Sequence, residues 1–299
     1  MIKTIIFLLS IISMGLSQTT LYGLDGWYHT STIATAGGTG AVPSMDSDRI
    51  NPAGIATLPK QIHFSLIKYP ASINAQSLTF IKPLTNSNIE IGIRHLNYGI
   101  FVSTNEDGVE NEKYYAGDTW LSAAWAKINK NISFGTTGGI FLSNLESYNA
   151  TAIVISTGLL YDYPRYGIRL GISLSNFGTF LTRYTEQKNK LPTKIILSAN
   201  KGLEYLPLDL NVDIGLNPYN NNIYWRIGGI FTLPYNLQLI LGINSNNIDQ
   251  RTEYKSVSEV LGSSGFGITY VYKQYSIELG GYSYGTGGWI YATSFNLKL

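Results

Sequence analysis

A two-residue rhythm constrains this chain more than any other feature. From about residue 61 onward, segments of roughly ten residues alternate apolar and polar side chains. "NIEIGIR" sets Ile89, Ile91 and Ile93 against Glu90, Gly92 and Arg94. "IRLGISLSN" sets Ile168, Leu170, Ile172 and Leu174 against Arg169, Gly171, Ser173 and Ser175. "LDLNVDIGL" and "NLQLILGIN" repeat the pattern at 208–216 and 236–244. The last residues continue it, with Trp289, Tyr291, Thr293, Phe295, Leu297 and Leu299 opposite Ile290, Ala292, Ser294, Asn296 and Lys298. Side chains alternate across a strand, so each segment reads as a strand with one apolar and one polar or small face.

Two architectures use such strands: a soluble sandwich and a membrane barrel. Composition favours the barrel. Only 13% of residues are charged, against about 25% in typical soluble domains, and the chain carries 22 Tyr and 31 Gly. The net charge of +2 does not suggest a nucleic-acid partner. Lys3 followed by the apolar run from Ile5 to Leu16 reads as a signal peptide over 1–17, with cleavage expected after Ser17. With no Cys in the chain, neither a lipid-anchored cysteine nor a disulfide framework is expected. Beyond residue 17 no apolar stretch nears the length of about 18 residues that a spanning helix needs. A membrane chain without such helices must be a closed barrel, because lipid offers no partner to a backbone N–H or C=O.

Counting by alternation gives about fourteen strands, at 61–69, 73–83, 88–101, 119–129, 132–144, 149–162, 167–180, 193–203, 208–216, 223–233, 236–245, 266–273, 275–284 and 288–299. The fourth to sixth alternate least cleanly. Connections sort by parity. Even-to-odd links are short, such as "KN" at 130–131 and "KQ" at 273–274. The long ones, roughly 102–118, 181–192 and 246–265, are all odd-to-even. Outer-membrane barrels have short periplasmic turns and longer outside loops, an asymmetry a sandwich has no reason to show. The fold expected is an all-β, up-and-down antiparallel transmembrane barrel over 61–299, its apolar faces toward lipid and its last strand closing on its first.

Residues 18–60 differ. "STIATAGGTGAVPSMDSDRINPAGIATLPK" is rich in small residues and turn formers. Asn51 can cap a short helix and Pro52 suits its first position. Ala53 and Gly54 let the turn approach a wall. The run Gly37, Gly38 and Gly40, then Asp46 and Asp48, then Asn51-Pro52-Ala53-Gly54, resembles the N-terminal signature of FadL-like barrels. It is most similar to the PorV/PorQ family of the type IX secretion system. "HLNYGIF" (95–101), "YYAGD" (114–118), "YNATAIVISTGLLYD" (148–162), "GIRLGISLSNFGTFLTRY" followed by Leu191-Pro192, and the C-terminal "GYSYGTGGWIYATSFNLKL" extend the resemblance in order. It implies a fourteen-stranded barrel with residues 18–60 as an N-terminal plug, or hatch.

No catalytic set emerges. The three His are His29, His63 and His95. His95 and Ser103 lie about 26 Å apart on one strand at about 3.3 Å per residue, too far to act together. His63 reads as a lumen or interface residue. No metal spacing or phosphate-binding loop appears, and "GGTG" at 37–40 lacks the Lys-Ser/Thr that would follow. No enzyme and no cofactor are expected. Glu90, Arg94, Arg169, Asp209, Asp213, Glu278 and Lys298 fall on lumen-facing positions; their mixed signs suit pairing with one another and with the plug better than a conduit.

Three functional expectations follow. As the PorQ-like resemblance implies, the chain would be a non-enzymatic outer-membrane component of a type IX secretion and cell-surface attachment complex, meeting protein partners through its long outside loops. As a FadL-like barrel it would pass small hydrophobic molecules. A filled polar interior would argue against that second role, and a continuous apolar cavity for it. As a soluble sandwich it would extract without detergent.

Overall fold

The computed structural model describes residues 21–104, 110–186, 190–219, 221–245 and 262–299. The expected signal peptide lies outside them, as do residues 246–261 of the 246–265 loop and residues 105–109 of the 102–118 connection.

Fourteen antiparallel strands close into one barrel among the described residues. They are β1 (Gln61–Lys68), β2 (Asn74–Pro83), β3 (Asn88–Thr104), β4 (Glu110–Asn129), β5 (Ile132–Leu145), β6 (Tyr148–Tyr163), β7 (Ile168–Thr182), β8 (Lys194–Gly202), β9 (Leu208–Asn217), β10 (Asn222–Leu233), β11 (Leu237–Asn244), β12 (Ser264–Tyr272), β13 (Tyr275–Ser283) and β14 (Trp289–Lys298). Each pairs with its sequence neighbours, and β14 returns to β1 in a register running from Gln61↔Lys298 to Lys68↔Tyr291. No strand edge is left along that seam, which a sheet in lipid requires.

The faces sort as alternation demands. Ile93 is 44% exposed on the outside and lies between Leu78 and Leu121 on the adjacent strands. One residue on, Arg94 is fully buried inside. Strands four to six blur the pattern because their inner face is apolar too. Trp120, Ala124 and Ala126 of β4 point inward and are buried, while Leu121 and Trp125 face out.

Two expectations change. The segment 102–118 is mostly not loop: β3 runs to Thr104 and β4 starts at Glu110. Phe101 stacks on Tyr114 there, ring centroids 5.5 Å apart, so cross-strand packing extends the hairpin. The 181–192 connection does not lie wholly outside either. Leu191 is 3% exposed and packs into the lumen with Trp120, Phe141 and Val154.

Residues 21–57 lie within the barrel as short helical turns at Tyr22–Asp25, Thr30–Ala34, Ser47–Ile50 and Pro52–Thr57. They divide the interior into two levels. Toward the long-loop end the filling is largely apolar. Leu21 and Leu24 meet Trp120, Phe141, Ala150, Ala152 and Val154. Tyr28 and Ile33 meet Ile67, Ala75, Leu96, Tyr282 and Ile290. Toward the short-turn end polar and ionic groups join smaller apolar clusters, Ala41 with Ala53 and Leu160, and Ile55 with Ala124 and Ala126.

An Ile93→Arg substitution places a charge on the lipid face near mid-height and is expected to cost about 2–4 kcal/mol. The urea midpoint of refolding into phospholipid vesicles would report it. A small change on the lumen face, Ser133→Ala, is expected to move the midpoint far less.

Candidate functional site

A segment with so little regular structure cannot satisfy its own backbone, so the wall must do so. Ser77 Oγ donates to the Tyr28 carbonyl at 2.9 Å, Thr137 Oγ1 to Asp48 at 2.7 Å, Ser173 Oγ to Ile50 at 2.7 Å and Asn244 Nδ2 to Ala36 at 2.9 Å. Asn88 Nδ2 reaches the carbonyls of both Ile55 and Leu58. In the other direction the Gly40 N–H donates to the Asp213 carboxylate at 3.1 Å.

The Asn-Pro-Ala-Gly turn seats against the wall. Asn51 accepts from the Ala53 N–H at 3.2 Å, with Pro52 opening the helical turn behind it. Its amide nitrogen reaches across to the Leu159 carbonyl of β6 at 3.2 Å. Glycines make that approach feasible. A Cβ at Gly158 would lie 2.0 Å from Asn51 Oδ1, and one at Gly135 would lie 2.3 Å from the Pro52 backbone.

The centre of the interior is ionic. Arg94 projects from β3 and grips Asp48 bidentately, Nη1 to Oδ2 at 2.8 Å and Nη2 to Oδ1 at 2.6 Å. Ser122 Oγ of β4 donates to the same carboxylate at 3.2 Å. Asp46 sits beside them, held by Arg49 at 2.8 Å and by Thr32 Oγ1 at 2.8 Å. His29 Nε2 is 3.7 Å from Asp46 Oδ1 and 3.5 Å from Arg94 Nη2. Arginine only donates, so the Arg94 contact needs a neutral imidazole that accepts. Burial drives the same way, pushing the His29 imidazole well below its ordinary range despite Asp46. Burial alone would raise the Asp46 carboxyl. The charge and hydrogen bonds of Arg49, with the charge of Arg94 behind them, hold it well below the usual carboxylate range.

The expected lumen charges take different stations. Arg94, Glu90 and Asp213 are buried inside. Glu90 lies near the Arg94–Asp48 pair, with neither of its oxygens hydrogen-bonded. Arg169 pairs with Asp162 at the short-turn rim, where Asp209 also lies. Glu278 and Lys298 border a cleft at the same end. His63 faces the lumen, its ring 4.9 Å from that of His29, and bonds Ser65 at 2.9 Å. Of the glycines in the motif, Gly37 and Gly38 take positive φ at the end of the Thr30–Ala34 turn.

Sequence reading missed a second constellation at the long-loop end. Between Asn97 and Gly99 the β3–β4 register slips by one residue, and Gly99 takes φ 102°. The bulge leaves Tyr98 without a cross-strand partner, and its hydroxyl donates to Asp118 at 2.6 Å. Ser143 also donates to Asp118, and Tyr184 to Ser143. Beside this knot lies a largely apolar pocket of about 230 Å³, lined by Leu21, Tyr98, Ala116, Leu145 and Tyr184 among others. Only Gly99 hinted at it in the sequence, since a strand glycine can mark a bulge. Asp25 was missed as well; it pairs with Lys194 at 2.8 Å and accepts from Asn176 at 3.2 Å.

No family model matches the sequence, and no curated protein matches it. Solved structures do match the fold. The toluene transporter TodX of P. putida superposes with a TM-score of 0.58 at 13% identity, covering 92% of this chain and 99% of that one. The monoaromatic hydrocarbon channel CymD gives 0.59 at 9% identity, over 94% and 99%. A FadL homologue of Pseudomonas aeruginosa gives 0.54 at 11% identity, over 95% and 100%. The barrel is FadL-like in fold.

Removing one partner of a buried ion pair leaves an uncompensated charge and costs about 3–5 kcal/mol. Arg94→Met is therefore expected to loosen the N-terminal segment, raising its cleavage rate in limited proteolysis of the detergent-solubilised barrel by about tenfold or more. Adding Asp48→Asn to Arg94→Met is expected to recover part of that loss. Acid should act in the same direction. A released His29 takes up a proton near its ordinary 6.5, whereas the buried ring resists it. The released state then binds more protons, so attachment weakens as pH falls below 6.5. The Asp46 contribution, full above its ordinary 3.8, fades only below that. Proteolysis rates with an acid-tolerant protease from pH 7 down to about pH 2 would check the order.

Proposed function

We propose that the chain is an outer-membrane barrel that passively admits small hydrophobic molecules, with residues 18–60 as its plug, delivered through a signal peptide over 1–17. The observation that carries this reading is the apolar long-loop half of the interior. It holds a pocket of about 230 Å³ next to the bulge at Tyr98–Gly99. The likeness to hydrocarbon channels supports it at the level of fold. The apolar region is not continuous along the axis, because the Arg94–Asp48–Asp46–Arg49 cluster fills the centre. A hydrophobic solute would lose free energy by displacing buried, paired charges. The proposed route therefore enters from the outside and leaves through the wall near the β3 bulge rather than through the polar half.

A second reading is a PorQ-like component of a type IX secretion and surface-attachment complex. The filled polar centre favours it, because a barrel that serves as a docking platform needs no passage. The docked Asn51-Pro52-Ala53-Gly54 turn fits the resemblance on which that reading rests. Its outside loops would meet protein partners at the cell surface.

Calorimetric titration of the detergent-solubilised full chain with toluene separates the two. The expected result is saturable binding, weakened about tenfold or more by Ala116→Trp, which fills the pocket; a tenfold loss is about 1.4 kcal/mol. An unchanged heat-dependent gel shift would show that the variant still folds. Absence of saturable binding, together with co-purification of secretion or surface subunits from native membranes, would select the second reading.

A further inference from the structure

At the short-turn end a cleft of about 300 Å³ separates the N-terminal segment from the wall running from β10 through β14 to β1. Two residues that line this cleft each carry a buried acceptor atom without a hydrogen-bond partner, Glu278 Oε2 and Asn296 Oδ1. Asn296 is 7% exposed, and its amide nitrogen already donates to Gln61 Oε1 at 3.0 Å, so its oxygen is the free end. Glu278 pairs across the strands with Ser294, which makes Asn296 its diagonal neighbour on the same face. Such neighbours lie about 7–8 Å apart at the backbone, close enough for their side chains to converge on one group. Ser31 reaches the Glu278 carboxyl through its backbone N–H, and none of the ion pairs among the described residues involves Glu278. The one cation on the cleft is Lys298, exposed at the mouth. It stands four residues beyond Ser294, roughly 13 Å along the strand at about 3.3 Å per residue.

We propose that this cleft binds a small organic cation bearing a primary ammonium group, with Glu278 as counter-charge and Asn296 as second acceptor. The proposal does not rest on the hydrocarbon reading. Three features of the cleft select the chemistry. An ammonium carries several N–H donors on one atom and can serve two converging oxygens at once. A quaternary ammonium would call for an aromatic cage, and no aromatic side chain lines the cleft. A divalent metal would call for several oxygen or nitrogen ligands, and no group of three His, Cys, Asp or Glu suited to a metal occurs among the described residues. The hydroxyls of Thr269 and Ser276, both nearly buried on this wall, supply further polar contacts around the head group.

Titration calorimetry of the folded full chain in detergent with n-butylammonium chloride tests the site, with tetramethylammonium chloride and sodium n-butyrate as controls. The expected result is saturable binding of n-butylammonium alone, weakened at least tenfold by Glu278→Gln and strengthened by Asn296→Asp, which adds a second carboxylate. A retained heat-dependent gel shift would show that both variants fold. Failure of the wild-type chain to bind n-butylammonium overturns the proposal, and shows the cleft to hold water only. Equal binding by Glu278→Gln, or equal binding of tetramethylammonium, overturns it as well. Toluene binding at the opposite end reads out independently, so failure here leaves the proposed channel standing.

Discussion

Everything in this molecule depends on where the backbone hydrogen bonds go. In hydrocarbon no N–H or C=O finds water, so the sheet has to close, and the β1–β14 seam from Gln61↔Lys298 to Lys68↔Tyr291 closes it. Closure has a second consequence. It turns one face of every strand inward around a space too wide for the wall's own side chains to fill. Serines, threonines and glycines dominate much of that inner face, including Ser65, Ser77, Thr79, Ser122, Ser173, Ser198 and Ser294. Such side chains are short, so they leave room, and they carry hydroxyls, so they can satisfy a backbone that enters the room.

The N-terminal segment fits that description closely. Its helical turns are four to six residues long, too short to bond most of their own amides and carbonyls. Wall hydroxyls and amides from β2, β3, β5, β7 and β11 take up those groups. The ionic cluster then supplies specificity of placement. A bidentate arginine–carboxylate pair demands a planar fit, so Arg94 accepts Asp48 in one seat. Neutral His29 beside it avoids adding a third positive charge to Arg94 and Arg49.

Strand identity was readable from the sequence because lipid imposes one rule on every outward position. Ile89, Ile91 and Ile93 announce β3 without reference to anything else in the chain. The inner face obeys no such single rule, since each position answers to a different part of the N-terminal segment. Arg94 and Asp48 were each visible, one as a lumen charge and one in a motif. Their pairing was not, because they are 46 residues apart and belong to different patterns. Gly135 and Gly158 look like ordinary strand glycines until the Asn51–Pro52 turn is seen against them. Length and parity alone place the 181–192 connection outside, Leu191 with it. It turns in because the apolar wall of Trp120, Phe141 and Val154 offers burial that solvent does not. The extended β3–β4 arm reads as loop in the sequence for a related reason: beyond the bilayer the lipid rule lapses, and alternation lapses with it.

The two levels of the interior bear on transport through a desolvation argument. A solute that partitions into the long-loop half meets aromatic and aliphatic walls and loses little. Continuing along the axis would require parting Arg94 from Asp48, and removal of one partner from a buried pair costs about 3–5 kcal/mol. A neutral hydrocarbon has no charge or donor to offer in return, so it cannot recover that cost. The wall near Tyr98 presents a smaller obstacle. There the bulge has already interrupted the β3–β4 ladder, and a tyrosine hydroxyl on Asp118, rather than a guanidinium on a carboxylate, holds the inner side. A neutral hydrogen bond contributes about 0.5–1.5 kcal/mol net, or up to about 3 where one partner is charged, so the balance favours parting the wall at the bulge over opening the ionic centre. On the proposed transport reading, the same comparison accounts for a lumen whose centre is closed by the Arg94–Asp48 and Arg49–Asp46 pairs while a largely apolar chamber lies at the long-loop height.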